Sequence, residues 1–381
     1  MTKFELSPFV NAGDGSENTP FVSEDGTAGI GEALDALSVR GGVLRLPSGR
    51  YDITKTLTVD TPSLCVDGGI WACNTDPNGV FESRFGTKIR LLGRDYPAVR
   101  MGGKTDPISG TIIRNIGFQG DISGMDTRSL IDFDNPEKSA GICLDSVRTD
   151  QCAFSKLSFC GLATAVTASG NAEIDACIFE DINMDGCAVG IYFAPRASYY
   201  AHVRSCVIAD TPYYGVYASG KHGSMHNLEI RNTHFVRNGG CFTDADGRIP
   251  AAILFDGVSR CAITECLFDA AGTFWYYETG ATNNEERKPS KRKTVGLYII
   301  GNSNRVRNCT FLNSSDDSIR IEGNGNILMG IISDGNIRIS GKDNTVSGIV
   351  FTKPTSRLIL EGEAKDSTEI IGVSPERIIY N

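Results

Sequence analysis

The chain has 381 residues, with 37 basic against 46 acidic side chains and a formal net charge of −9; phosphate recognition needs a basic surface, so nucleic acid is excluded as the main partner. No apolar run approaches the ~20 residues of a membrane span, and Met1-Thr-Lys-Phe-Glu-Leu-Ser-Pro8 carries no basic stretch ahead of an apolar core, so neither a membrane anchor nor a secretion signal is read. The 12 cysteines include no CxxC pair, which argues against zinc; reduced cysteines without a leader place the expected setting in the cytoplasm.

Residues 1–60 read as an N-terminal cap. Thr27 is the expected N-cap of a helix in which Ile30, Leu34, Leu37 and Val39 share one face. Gly41-Gly-Val-Leu-Arg-Leu-Pro-Ser-Gly-Arg-Tyr51 then reads as strand, Pro-Ser-Gly turn, strand.

From 61 to 360 one unit repeats. Its first strand is Gly141-Ile-Cys-Leu144, then Ala165-Val-Thr-Ala168, Gly190-Ile-Tyr-Phe193, Gly215-Val-Tyr-Ala218, Ala252-Ile-Leu-Phe255, Gly296-Leu-Tyr-Ile299, Ser318-Ile-Arg-Ile321 and Asn336-Ile-Arg-Ile339. A second strand follows as apolar-x-x-apolar-x-apolar: Ile113/Ile116/Phe118, Phe154/Leu157/Phe159, Ile174/Cys177/Phe179, Ile263/Cys266/Phe268, Val306/Cys309/Phe311 and Val346/Ile349/Phe351. No copy buries its apolar face alone, whereas stacked copies do, which defines a solenoid. Cys177, Cys206, Cys266 and Cys309 are read as one inward ladder of small side chains. Insertions fall at 119–139, 237–250 and 270–294; the last two enter just ahead of the first strand and are expected to overhang its outer face. Residues 361–381 are expected to form a fraying last coil. The basic run Lys288–Lys293 is read as a solvated loop.

Adjacent rungs of such a stack lie ~4.8 Å apart, so a recurrent polar position becomes a row. The outward row of the first strand reads Cys143, Thr167, Tyr192, Tyr217, Leu254, Tyr298, Arg320, Arg338. Its tyrosines suit sugar rings and its arginines suit carboxylates or sulfates, although exposed strands favour aromatics in any case. Asp185 and Asp210 each stand five residues ahead of a repeat glycine, Gly190 and Gly215. Equal registers would place their carboxylates ~5 Å apart, the separation of a retaining glycosidase pair, with one protonated and one ionised. The bland reading is that aspartate is a favoured turn residue. Asp246 could extend the row. Trp275 and Glu278 would form a sugar-binding lid or a small core of their own loop, and His222 is a candidate substrate contact. No residue spacing fits a metal site; calcium enters only in a lyase version of the aspartate row.

The helix followed by Gly-Gly-Val-x-x-x-Pro-x-Gly-x-Tyr resembles the opening of the pectate-lyase-like right-handed β-helix superfamily, and the coils to about 351 agree with it in pattern. That resemblance implies an all-β, single-domain right-handed parallel β-helix with an N-terminal capping helix, in a group of polysaccharide lyases, glycoside hydrolases, epimerases and tailspikes. Ser169-Gly-Asn-Ala172 and Tyr213-Tyr-Gly-Val-Tyr-Ala-Ser219 resemble coils of inulin fructotransferases and difructose-anhydride hydrolases. Those are trimers with an Asp/Glu pair, which implies a possible homotrimer, but Ser219 stands where an acid is expected. Ser315–Ile321 resembles the paired aspartates of polygalacturonases, whose other motifs are missing.

The expected function is cleavage of a glycosidic bond in an oligosaccharide by Asp185 and Asp210, with Tyr192, Tyr217 and Tyr298 as platform and no cofactor. The rivals are a lyase or epimerase on uronic acid sugars, using Arg320, Arg338, Lys221 and Arg231, and a non-catalytic glycan-binding or tailspike-like β-helix.

Overall fold

A computed structural model describes residues 3–4, 12–16, 18–38, 41–69, 86–102, 107–120, 130–239, 249–270, 275–276, 288–289, 294–314 and 317–381. Each coil of the solenoid is a run of short strands separated by tight corners. Val189–Ala194 lies in a 12-stranded front sheet, Ala197–Ser198 in a short five-stranded sheet, and Ala201–Arg204 and Val207–Ala209 in a 22-stranded back sheet that turns a corner. Tyr214–Ser219 then returns to the front sheet, one rung on. All neighbouring rungs of these three sheets pair in parallel.

The corners are made by residues with left-handed backbone. The corner inside the back sheet carries Asn115, Lys156, Asp181, Ser205, Asn232, Glu265 and Asn308, all at positive φ between 48° and 61°. Asparagine and aspartate tolerate this conformation best among residues with a side chain, which explains why four of these seven are Asn or Asp.

Inward residues stack like on like. Phe154 and Phe179 lie 4.9 Å apart between centroids, and Phe268 and Phe311 lie 4.3 Å apart with rings nearly parallel. Further on, Asn304, Asn326 and Asn344 form a buried amide ladder in which each backbone N–H donates to the next side-chain oxygen. Helix α1, Ile30–Leu37, buries Ile30, Ala33, Leu34 and Leu37 over the first coils. Its N-cap is Gly29, not Thr27; Thr27 sits two residues earlier, yet its hydroxyl accepts the Gly31 N–H at 3.1 Å. Val39 lies outside the described residues.

The front-sheet rungs keep the register expected from sequence, Cys143 to Thr167 to Tyr192 to Tyr217 to Leu254 to Tyr298 to Arg320 to Arg338. Two other expectations need correction. Phe154 pairs with Phe179, so the partner of Leu157 in the next coil is Ile182, and Cys177 stands beside Cys152 and Ala201 instead of below Cys206. Ile174-Asp-Ala-Cys-Ile-Phe179 spans a different corner, centred on left-handed Ala176. The C-terminal segment also keeps the register: Glu369–Ile371 and Ile378–Tyr380 pair with Thr345–Ser347 and Leu358–Leu360.

Candidate active site

The corner that leads from the back sheet into the front sheet is where the insertions enter. Gly161, Gly186, Asp210, Arg237, Ala270 and Asn313 occupy it with positive φ. The coils of Gly161, Gly186 and Asp210 turn here in a few residues, while 119–139 precedes them and 237–250 and 270–294 follow. Asp185 and Asp210 stand at this corner, in the run of short turns between the entry points of the insertions, hereafter the notch.

Their registers are not equal. Asp185 pairs with Ala209 and with Cys160, while Asp210 occupies the left-handed position that Gly186 holds one coil earlier. Cys187-Ala188 fills the first corner and Thr211-Pro212-Tyr213 the second, because Val189 pairs with Tyr214. This extra residue cancels the offset when counting back from the front strand.

The two carboxylates nevertheless sense each other. Burial first, then the charge of Asp210, push the Asp185 carboxyl up to about 6, with Arg237 pulling the other way. Asp210 is held by a bidentate fork from Arg237, Nε to Oδ1 at 2.7 Å and Nη2 to Oδ2 at 2.5 Å. The notch thus holds a carboxyl that keeps its proton up to about pH 6 beside a carboxylate fixed by a guanidinium. Arg237 escaped sequence reasoning; its signal was its place, after the next back-sheet strand, at the corner position of Asp210.

The tyrosine strip is not an open platform. Tyr192 and Tyr217 stack with centroids 4.9 Å apart, but each is only 3% exposed. Leu130, Ile131 and Phe133 of the first insertion roof them in a second apolar cluster with Tyr213, Tyr214 and Leu254, and the Phe133 ring meets Tyr213 edge-on at 5.6 Å. Sequence counting placed these rings outward correctly but not the cover. Tyr298, also buried, donates to Glu322 Oε1 at 2.8 Å beneath the Arg320 guanidinium, whose carbon lies 5.4 Å from the ring centre.

Beyond Tyr298 the front face becomes a charged cleft of about 300 Å³ lined by Ile249, Thr294, Val295, Asp317, Arg320, Arg338 and Glu361. Arg338 meets Asp317 at 2.9 Å and Glu361; Arg320 meets Glu322 at 2.7 Å. His222 is not brought to the aspartates: it sits in an exposed turn past the far end of Tyr214–Ser219, ~17 Å along that strand from the notch. Asp246 and Glu278 lie outside the described residues, and Trp275 is placed only as a backbone strand opposite Pro289. Among the described residues no His, Cys, Asp and Glu side chains gather into a metal-holding group, and no helix is long and apolar enough to cross a membrane.

A family model described as right-handed beta helix region matches residues 126–288. Solved structures of DFA-IIIase from Arthrobacter chlorophenolicus A6 superimpose over the full chain. The form without its lid aligns with 100% of this chain and 96% of its own, at TM-score 0.69 and 16% identity. The complex with DFA-III has the same coverage and TM-score at 14% identity, and the complex with GF2 reaches TM-score 0.67 at 15% identity. The chain is a right-handed parallel β-helix. No curated protein matches its sequence. At these identities the likeness fixes the β-helix and leaves its chemistry to the chain's own residues.

Proposed function

We propose that this β-helix cleaves glycosidic bonds in a neutral oligosaccharide, with Asp185 as general acid and Asp210 as its ionised partner. The observation that carries this reading is the unequal pair in the notch: a carboxyl pushed up to about 6 beside a carboxylate clamped by Arg237. Pairs of acids whose environments separate their protonation are how such sites divide acid from base work. Asp185 would give its proton to the leaving glycosidic oxygen. Asp210 would either attack the anomeric carbon as that C–O bond breaks, giving a glycosyl ester that a water deprotonated by Asp185 then hydrolyses, or take a proton from a water that attacks the carbon directly. Either way one water is consumed and an alcohol and a hemiacetal leave. The β-helices of similar fold were solved with DFA-III and GF2, which supports a saccharide substrate.

Neutral sugar is favoured over uronic acid because the arginines required by a lyase are already matched. Arg320 faces Glu322, Arg338 faces Asp317 and Glu361, and Arg231 faces Glu265 on the back sheet. Lys221 lies in the exposed turn beside His222. Tyr192 and Tyr217 drop out as sugar contacts, since their faces are covered.

The test is mass spectrometry of neutral and acidic oligosaccharides incubated with the protein, with ultraviolet absorbance in parallel. Water-added fragments lost in Asp185→Asn support the proposal. Unsaturated fragments would move the assignment to a lyase, and an absence of turnover across the panel would leave a binding β-helix.

A further inference from the structure

The charged cleft on the late rungs of the front sheet is not used by the chemistry assigned to the notch, and its charged side chains hold one another in place. Its groups are fixed in advance. Arg338 donates Nε to Asp317 Oδ2 at 2.9 Å and Nη1 to Glu361; Arg320 donates Nε to Glu322 Oε1 at 2.8 Å, and the same oxygen accepts from Tyr298. Guanidiniums held by their carboxylates keep further N–H groups for a ligand, and the carboxylates keep further lone pairs. Donors and acceptors that alternate at fixed positions suit vicinal hydroxyls, and fixing them beforehand lowers the ordering cost of binding. Three acids against two arginines leave no surplus positive charge to draw an anion.

Position supplies the second half of the argument. Asp210 leads into Tyr214–Ser219, and the rungs that follow are Ala251–Ser259, Val295–Asn302, Asp317–Ile321 and Asn336–Ile339. At ~4.8 Å per rung, Arg320 lies ~14 Å and Arg338 ~19 Å along the axis from that strand. Asp317 stands in the same edge row as Tyr214, through Ala251 and Val295, next to the corner that holds the notch. Cleft and notch therefore lie along one side of the β-helix, separated by a distance that several linked sugar units would span, with 237–250 and 270–294 entering the coils between them.

We propose that the Arg320/Arg338 cleft is a second carbohydrate subsite, which anchors the far end of a longer neutral oligosaccharide while its reacting bond lies at Asp185 and Asp210. This rests on the glycosidic-bond reading above. The experiment measures kcat and KM over a ladder of neutral oligosaccharides of increasing length for the wild type, Arg338→Met and Glu361→Gln, with calorimetric binding of the longest chain to Asp185→Asn and to Asp185→Asn/Arg338→Met. Glu361→Gln keeps shape and one acceptor, so it serves if Arg338→Met fails to fold. Both changes are expected to raise KM for the longest chain about tenfold more than for the shortest, as loss of one well-placed contact would, with kcat little moved. Calorimetry is expected to show the same loss. If the wild type cleaves and the variants shift KM equally at every length, or not at all, the anchor is overturned while the catalytic reading stands. If no chain is cleaved, the catalytic reading falls and calorimetry alone decides the cleft: binding weakened by Arg338→Met supports a sugar site, and binding that is absent or unchanged overturns it.

Discussion

Asp210 and Arg237 occupy the same left-handed corner position on adjacent coils and face each other through two parallel bonds of 2.7 and 2.5 Å. The arrangement makes Asp210 a fixed anion, and Asp185, one residue out of register with it, is the carboxyl that must give way. Replacing Asp185 with Asn removes a proton donor without changing shape. Turnover is expected to fall by ~10²–10⁴, the usual weight of a general acid, with circular dichroism unchanged. Asp210→Asn is expected to lose as much activity but also stability, because it breaks the fork to Arg237. A fall of less than about tenfold in both variants would return the two aspartates to the role of corner residues.

The stability of the Asp185 variant carries a sign of its own. The folded carboxyl, at about 6, holds its proton more tightly than the unfolded one at 3.8. Between those values the folded state binds more protons, so stability is full at low pH and falls as pH rises through about 6. Asp185→Asn is therefore expected to match the wild type near pH 3.5 and to exceed it near pH 8, by up to about 3 kcal/mol at 1.36 kcal/mol per pKa unit. Urea unfolding at the two pH values checks this. An inactive variant that is more stable than its parent is what a strained functional group predicts.

The rate should follow the same proton. As Asp185 is the acid, kcat/KM is expected to decline as pH rises past about 6. Arg237 pulls the Asp185 carboxyl down, so Arg237→Ala should move that limb to higher pH as well as lower the rate. A limb that stays in place in Arg237→Ala would detach the acid from Asp185.

The front sheet was legible because its period is two and its inward residues repeat on every rung: Ile142, Val166, Ile191, Val216 and Ile253 are paired neighbours as their spacing requires. The back sheet was less so. Two of its corners carry a left-handed residue followed by an inward one, and Ile174/Cys177/Phe179 and Phe179/Ile182/Met184 are both good matches to one motif. Only pairing across coils selects the second. For the same reason the Asp185 and Asp210 registers came out equal when counted from Gly190 and Gly215, although Thr211-Pro212-Tyr213 is one residue longer than the corner before it. The cover over Tyr192 and Tyr217 was hidden for another reason: Leu130, Ile131 and Phe133 belong to an insertion with no repeat to place it.

That cover is open to test. Phe133 is half-buried and meets Tyr192, Tyr213 and Tyr214 with centroids 6.2, 5.6 and 6.5 Å away. Phe133→Ala is expected to cost about 1–3 kcal/mol, less than a fully buried phenylalanine, and to make tyrosine 192 or its neighbours accessible to nitration. Stability within ~0.3 kcal/mol of the parent would mean that the roof does not hold the tyrosines down.

The asparagine ladder makes the sharpest prediction about the fold. Asn326 Oδ1 accepts the Asn304 backbone N–H at 2.9 Å and its side-chain amide at 3.1 Å, while Asn326 Nδ2 donates to the Gly301 carbonyl at 3.0 Å and to Asn344 Oδ1 at 3.1 Å. Asn304, Asn326 and Asn344 are all buried, so no water replaces a missing partner. Asn326→Ala would leave the Asn304 N–H and the Gly301 carbonyl unsatisfied, each costing ~1–3 kcal/mol. The expected loss is about 2–4 kcal/mol, read by urea unfolding. Asn326→Asp keeps the acceptor but loses both donations and brings a buried charge, so it should be worse than alanine at pH 8 and should recover as the pH falls and the carboxyl takes up a proton. A serine there, too short to reach either carbonyl, should behave like alanine; a serine variant as stable as the parent would show that the ladder contributes packing alone.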